Sequence, residues 1–101
     1  MAKYHLTNRA VDDLAHIWNY TFEEWSEQQA DKYYNLLVAS CQEVATSPNL
    51  LGKRYDDIRV GLRGFKVGKH ILFYRLLDDG DVEILRILHE KMDIHSRMSD
   101  Q

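Results

Sequence analysis

The chain has 101 residues, 45% of them hydrophobic and 29% charged, with a formal net charge of −3. That length holds one domain, residues 1–101, around a single modest core. No apolar run approaches the roughly 20 residues of a membrane span, the opening Met1-Ala2-Lys3-Tyr4-His5 lacks the apolar segment of a secretory leader, and the lone Cys41 excludes an internal disulfide or a thiol-based zinc cluster. A cytoplasmic protein is therefore the expectation.

Lys3 to Leu6 reads as a short strand with Tyr4 and Leu6 on one face. Thr7 can cap the helix that follows through its hydroxyl. Val11, Leu14, Trp18, Phe22 and Trp25 recur at spacings of three and four, with Ile17 and Thr21 beside them, which predicts an amphipathic helix to about Trp25. Asp12, Asp13, Glu23 and Glu24 fall on its other face. Ser26-Glu27-Gln28-Gln29 has the spacing of a capping box, so a second helix should start almost without a loop. Its apolar face comprises Ala30, Tyr33, Tyr34, Leu37, Cys41, Val44 and Ala45, and Ser47-Pro48 ends it. Two helices so joined form an antiparallel hairpin.

Residues Asn49 to Gly61 read as a loop with apolar points at Leu50, Leu51 and Ile58. Three apolar runs then follow, Leu62–Val67, His70–Leu76 and Val82–His89, divided by Gly68-Lys69 and Asp78-Asp79-Gly80. Glycine and aspartate at tight turns predict two consecutive hairpins, hence an antiparallel meander. Ile71 and Phe73 oppose Leu72 and Tyr74, so the sheet should be covered on one side by the helix hairpin and only partly open on the other. Met92 to Met98 can add one helical turn, with residues 99 to 101 fraying. The expected class is α+β, in the order β-α-α-β-β-β.

Charge is uneven. Residues 1 to 52 carry Lys3, Arg9 and Lys32 against seven acids, whereas residues 53 to 75 carry seven bases against two acids. A basic surface on an otherwise acidic protein favours a defined acidic partner over general attraction to nucleic acid.

The five histidines, His5, His16, His70, His89 and His95, lie on different predicted elements, and none has the spacing of a zinc motif, so no metal or cofactor is expected. Cys41, on an apolar helix face without an activating base, reads as a small hydrophobe. Trp18, Trp25, Tyr33 and Tyr34 belong either to the core or to a groove offered to a partner, since they exceed what a two-layer domain readily buries. Arg63, Lys66, Lys69, Arg75, Arg86 and His89 are candidates for a polar working face on the sheet. Arg86, between Ile84 and Leu88 on one strand face, must be paired with a carboxylate or face a cleft.

At Gly61-Leu62-Arg63, at Val67 to Arg75, and above all at Ile84-Leu85-Arg86-Ile87-Leu88-His89-Glu90-Lys91-Met92-Asp93, the chain resembles the ParE toxins of bacterial toxin-antitoxin systems, within the RelE/ParE superfamily. The likeness covers nearly the whole chain, including the opening Tyr-x-Leu-Thr and Glu24-Trp25, and implies a helix hairpin against an antiparallel sheet. RelE-like members are ribosome-dependent messenger RNA endonucleases that use basic residues and often a tyrosine on the sheet. Ile71 stands where those members typically carry arginine, and Glu90 where YoeB-like members carry tyrosine. The resemblance therefore implies the ParE branch: no catalysis, poisoning of DNA gyrase by binding, and neutralisation by a ParD-like antitoxin.

The implied gyrase- or partner-binding candidates are Arg63, Lys66, Arg75, Arg86, His89, Lys91, Met92 and Asp93. Those for the antitoxin are Trp18, Trp25, Tyr33, Tyr34, Arg54, Arg59 and Lys66. The antitoxin is expected to wrap the toxin with a segment that folds on binding, apolar anchors against the hairpin and acids against Lys53 to Arg75. No direct sequence-specific nucleic-acid binding is expected. The alternatives are an RNA-cleaving toxin and an antitoxin-binding protein without toxicity.

Overall fold

Thr7 joins the first strand to the first helix and to the far end of the chain. Its Oγ1 accepts a hydrogen bond from the Ala10 N–H at 3.1 Å and donates to the Leu85 carbonyl at 2.8 Å, so the N-cap is also a tether to the last strand. The computed structural model describes residues 2–99. Its elements are β1 (Tyr4–Leu6), α1 (Asn8–Glu24), α2 (Glu27–Thr46), α3 (Pro48–Leu51), β2 (Lys53–Arg54), β3 (Arg63–Val67), β4 (His70–Leu76), β5 (Val82–His89) and α4 (Ile94–Ser99).

The predicted caps are in place. Ser26 accepts from the Gln29 N–H at 3.1 Å, and α2 starts two residues after α1 ends its last turn at Trp25. The meander follows the expected turns, with Gly68 and Gly80 at φ 58° and 92°, where a side chain would be strained.

Two expectations about the sheet and its connections need correction. The five strands lie in the order β1-β5-β4-β3-β2, and β1 runs parallel to β5, so the sheet is mixed; a parallel pairing of residues 78 apart, as Tyr4 with Val82, leaves no local turn signal. The presumed loop from Asn49 holds the one-turn α3, which Pro48 can start because proline suits a first helical position, and the edge strand β2, which is too short to show alternation. At the C-terminus α4 runs through Ser99, and Asp100 and Gln101 lie outside the described residues.

The sheet has a core on each side. On the hairpin side Leu14, Leu37, Cys41, Val44, Leu72, Tyr74, Val82, Ile84 and Ile87 pack together. On the other side Leu62, Ile71, Phe73, Leu85, Leu88 and Met98 form a smaller cluster under Tyr55, Ile58 and Ile94, so α4 and the loop after β2 close most of the face expected to be partly open. Tyr74 anchors α3 to the sheet by donating its hydroxyl to the Pro48 carbonyl at 2.6 Å.

A bulge interrupts β5. Tyr74 pairs with Ile84 and Phe73 with Arg86, which leaves Leu85 without a partner. Ile84 consequently belongs to the hairpin-side core and Leu88 to the opposite one, so Arg86 does not sit between them on one face as simple alternation predicts.

Helix α1 departs most from expectation. Ala10 and Leu14 are buried and Ile17 packs on the core, whereas Val11, Phe22 and Trp25 of the predicted inner stripe are 49%, 47% and 76% exposed. The helix carries apolar residues on two sides, and the smaller ones face the sheet, where close approach to β5 favours alanine and leucine over tryptophan.

Candidate functional site

Four elements meet at one end of the sheet: the middle of α1, the β3–β4 turn, the end of β5 and the segment before α4. Between them run three adjoining hollows of about 430, 440 and 470 Å³, all of them lined by His70 and His89. The cleft exists because His70 and His89 are cross-strand partners at the end of β4 and β5, beside the tight turn at Gly68 that lets Tyr33 of α2 reach over them.

The polar chemistry here is tightly arranged. The Tyr33 hydroxyl accepts from the Lys69 N–H at 3.2 Å and lies 2.7 Å from His70 Nδ1 and 3.2 Å from the Val67 carbonyl. His70 meets the His89 ring edge-on, with centroids 5.3 Å apart. Burial, with the neighbouring His89 second, pushes the His70 pKa down to about 4, so this imidazole is neutral at physiological pH. The Lys91 N–H donates to His89 Nδ1 at 3.1 Å, so Nδ1 of that ring acts as acceptor. Desolvation raises the Tyr33 pKa and keeps the phenol protonated.

One wall of the cleft is an ion pair between α1 and β5. Arg86 Nε and its terminal nitrogen donate to the two Asp13 oxygens at 2.8 and 3.0 Å, and Asp13 also accepts from the Ile87 N–H at 2.9 Å. Both side chains are largely buried, and the hydrogen bonds to Asp13 hold the Arg86 pKa above its ordinary value. Arg86 is thus both paired and cleft-lining, and Asp13 leaves the solvated face expected for it.

The candidates separate in space. Arg86, His89, Lys91 and Met92 line the cleft together with His16, Ile17, Tyr20 and Arg97. Lys66 lies beside it, 3.3 Å from Glu90. Asp93 caps α4 by accepting from the Ser96 N–H and hydroxyl, which lowers its pKa. Arg63 and Arg75 belong to the opposite end of the strands, where Arg63 donates to the Gly52 carbonyl at 3.0 Å and Arg75 to Glu83 at 2.8 Å. Among the hairpin candidates, Tyr33 and Trp25 border the cleft, whereas Trp18 donates its indole N–H to Asp31 at 2.9 Å and Tyr34 is 38% exposed on α2. Arg54 pairs with Asp56 at 2.7 Å, and Arg59 belongs to the same loop. The basic excess of residues 53 to 75 is offset in part by Glu83 and Glu90, carboxylates that lie outside that stretch.

His16, His70 and Tyr20 were not foreseen as neighbours. They come from α1 and β4, and only the packing of α1 against the end of the sheet unites them. Cys41 is buried in the core and its thiol is pushed up to about 12, consistent with an inert packing residue.

A five-stranded mixed sheet with a helix hairpin on one face and a short C-terminal helix on the other is a RelE/ParE-like fold. The structure resembles a protein of the chromosomal ParDE toxin-antitoxin system from P. aeruginosa, with a TM-score of 0.77 at 20% identity over 88% of this chain and 96% of that one. It also resembles a chain of the RelBE2 toxin-antitoxin complex from Mycobacterium tuberculosis, with a TM-score of 0.56 at 22% identity over 87% and 96%. In sequence, the chain is 34% identical to Toxin ParE1 of Mycobacterium tuberculosis over 92% of its own length and 94% of that protein's. It is 35% identical to Toxin ParE1 of Caulobacter vibrioides over 97% and 99%, and 29% identical to Toxin ParE of Escherichia coli over 100% and 97%. Residues 4–94 match the model of the ParE toxin of type II toxin-antitoxin systems, and the chain belongs to that family.

Proposed function

We propose that this ParE-family toxin poisons DNA gyrase by binding it, without catalysis of its own, and that a ParD-like antitoxin holds it inactive in the cytoplasm. The observation that carries the reading is the match to ParE toxins over nearly the full chain. The state of the cleft supports binding over RNA cleavage. Ile71 packs in the core beneath α4, Arg86 is neutralised by Asp13, Glu90 engages Lys66, and His70 is uncharged, so the positive charge left to face a scissile phosphate is that of Arg9, Lys91 and Arg97 in the cleft lining. The similarity to a ParDE system from P. aeruginosa supports the choice of antitoxin.

A second reading, ribosome-dependent cleavage of messenger RNA, is favoured by one observation. His70, His89 and the Tyr33 hydroxyl are acid-base groups gathered in a single cleft.

Expression without an antitoxin separates the readings. DNA breaks and a DNA damage response with intact transcripts are the expected result. Transcripts cut in a ribosome-dependent way while DNA stays whole would establish the second reading, and normal growth at full expression would leave only antitoxin binding.

A further inference from the structure

Two of the three hollows adjoin along α1 and differ in chemistry. The one that includes Lys91 is walled by Ile17, Tyr20 and Met92 with the rings of His16, His70 and His89. Tyr20 is 66% exposed and Met92 41%, so a phenol ring and a thioether keep surface that a ligand can cover. The hollow beside it shares His16, Ile17, His70, His89 and Met92 and adds Arg9, Asp12 and Arg97. At about 470 and 430 Å³, both fall in the range of small-molecule sites.

The charges of the second hollow divide into engaged and free. Arg86 and Asp13 satisfy each other. Among the described residues, Arg9, Arg97 and Asp12 take part in no ion pair. Two free guanidiniums, brought together from α1 and α4, suit a phosphate, which matches their planar fork of N–H donors. A free carboxylate beside them repels phosphate at contact but accepts from hydroxyls, as an acid does toward ribose in dinucleotide sites. The apolar hollow suits a flat heteroaromatic ring that stacks on tyrosine and histidine. On the other side of His70 and His89, the third hollow carries Glu24 as well as Lys69, so its charges offset and the anion belongs on the Arg9 side.

We infer that the two hollows together hold a free nucleotide, its base against Ile17, Tyr20 and Met92, its ribose hydroxyls on Asp12 and its phosphate between Arg9 and Arg97. Charge separates this occupant from others. An acidic peptide meets Asp12 as a repulsion, and a nucleic-acid strand brings further phosphates to a helix α1 that holds four carboxylates against Arg9 alone. The nucleotide is bound and not cleaved, and the inference does not depend on gyrase being the target.

The test titrates the full chain with AMP and with its parts, reading affinity by calorimetry and location by amide shifts. At low salt AMP should bind about tenfold or more tightly than adenosine, ribose phosphate or inorganic phosphate, and should shift His16, Ile17, His89 and Arg97. Arg9→Gln with Arg97→Gln should remove the advantage of AMP over adenosine. Asp12→Ala should weaken AMP about threefold or more and leave its dideoxyribose analogue unchanged, a contrast that a general loss of folding cannot produce. All three substituted side chains are exposed, so the circular dichroism spectrum should not change. Inorganic phosphate binding as tightly as AMP, shifts away from His16 and His89, or equal losses for AMP and the dideoxy analogue in Asp12→Ala would each overturn the inference. Tighter binding of an RNA oligonucleotide, or of a peptide of phenylalanine and aspartate, would overturn it in favour of that occupant.

Discussion

Asp13 and Arg86 are 73 residues apart in sequence and joined by two hydrogen bonds, and Asp13 accepts a third from the Ile87 N–H. The pair links α1 to β5 where the bulge at Leu85 re-aims the strand. Because both side chains are mostly withdrawn from water, removing one partner strands the other. Asp13→Ala should cost about 3 kcal/mol in urea unfolding, and Asp13→Asn less, since its amide oxygen can still accept from Ile87. The double variant Asp13→Leu with Arg86→Met should lose less than the two single losses combined. Full additivity would show that the two residues are not coupled. Unchanged stability in Arg86→Leu, together with undiminished toxicity, would reduce Arg86 to a solvated strand residue.

The two helix caps should differ in weight. Ser26 satisfies one N–H at the start of α2, so Ser26→Ala should cost about 1 kcal/mol. Thr7 caps α1 and also holds the Leu85 carbonyl, so Thr7→Val loses two hydrogen bonds and should cost about 2 kcal/mol. Equal midpoints for the two variants in thermal unfolding would mean that the Leu85 bond adds nothing.

Gly64 sits in β3 where the sheet is overlain by the loop after β2. A Cβ there would lie 2.7 Å from the Tyr55 ring and 2.9 Å from Ile71 Cγ2. Gly64→Ala should destabilise by about 1–3 kcal/mol through overpacking, despite the better strand propensity of alanine. Gly80→Ala meets no atom but keeps a φ of 92°, so its cost is backbone strain alone. A double variant with Tyr55→Ala should recover part of the Gly64→Ala loss and none of the Gly80→Ala loss.

Stability should fall with acid through His70. Its folded pKa, about 4, lies below its usual 6.5, so as pH drops the unfolded chain takes up the proton first. The contribution is complete above about pH 6.5 and is lost as pH falls toward 4; with the ring partly in solvent it is of the order of 1 kcal/mol. His70→Gln should flatten the stability curve over that window, measured by denaturant midpoints from pH 7 to 4. A wild-type curve that superimposes on the variant's would place the His70 ring in water.

Local features were legible in the sequence, and long-range ones were not. Thr7, Ser26, Pro48, Gly68 and Gly80 act on neighbouring backbone, so their roles follow from residue type and position. The choice between the two apolar sides of α1 depends on how closely the helix approaches β5, which periodicity cannot report. The same holds for the partners of the bases: Arg75 meets Glu83 as its cross-strand partner, and Lys66 of β3 reaches Glu90 just past the end of β5, two strands away. The family motif from Ile84 to Asp93 marked one side of the cleft, but His16 and His70 reach it from elements that share no spacing with it.

The parallel pairing of β1 with β5 makes the first strand wait for the last. Residues 4 to 6 have no sheet to join until residues 82 to 84 exist, and the bonds from Thr7 to Leu85 and from Arg86 to Asp13 wait equally long. On a ribosome, which makes about 5–20 residues per second and retains the newest residues in its tunnel, the toxin therefore spends most of its synthesis without a completed sheet or cleft. Neither the sheet nor the cleft can close before β5 and the segment that follows it have left the tunnel, so a partner that recognises the closed cleft has nothing complete to bind until then.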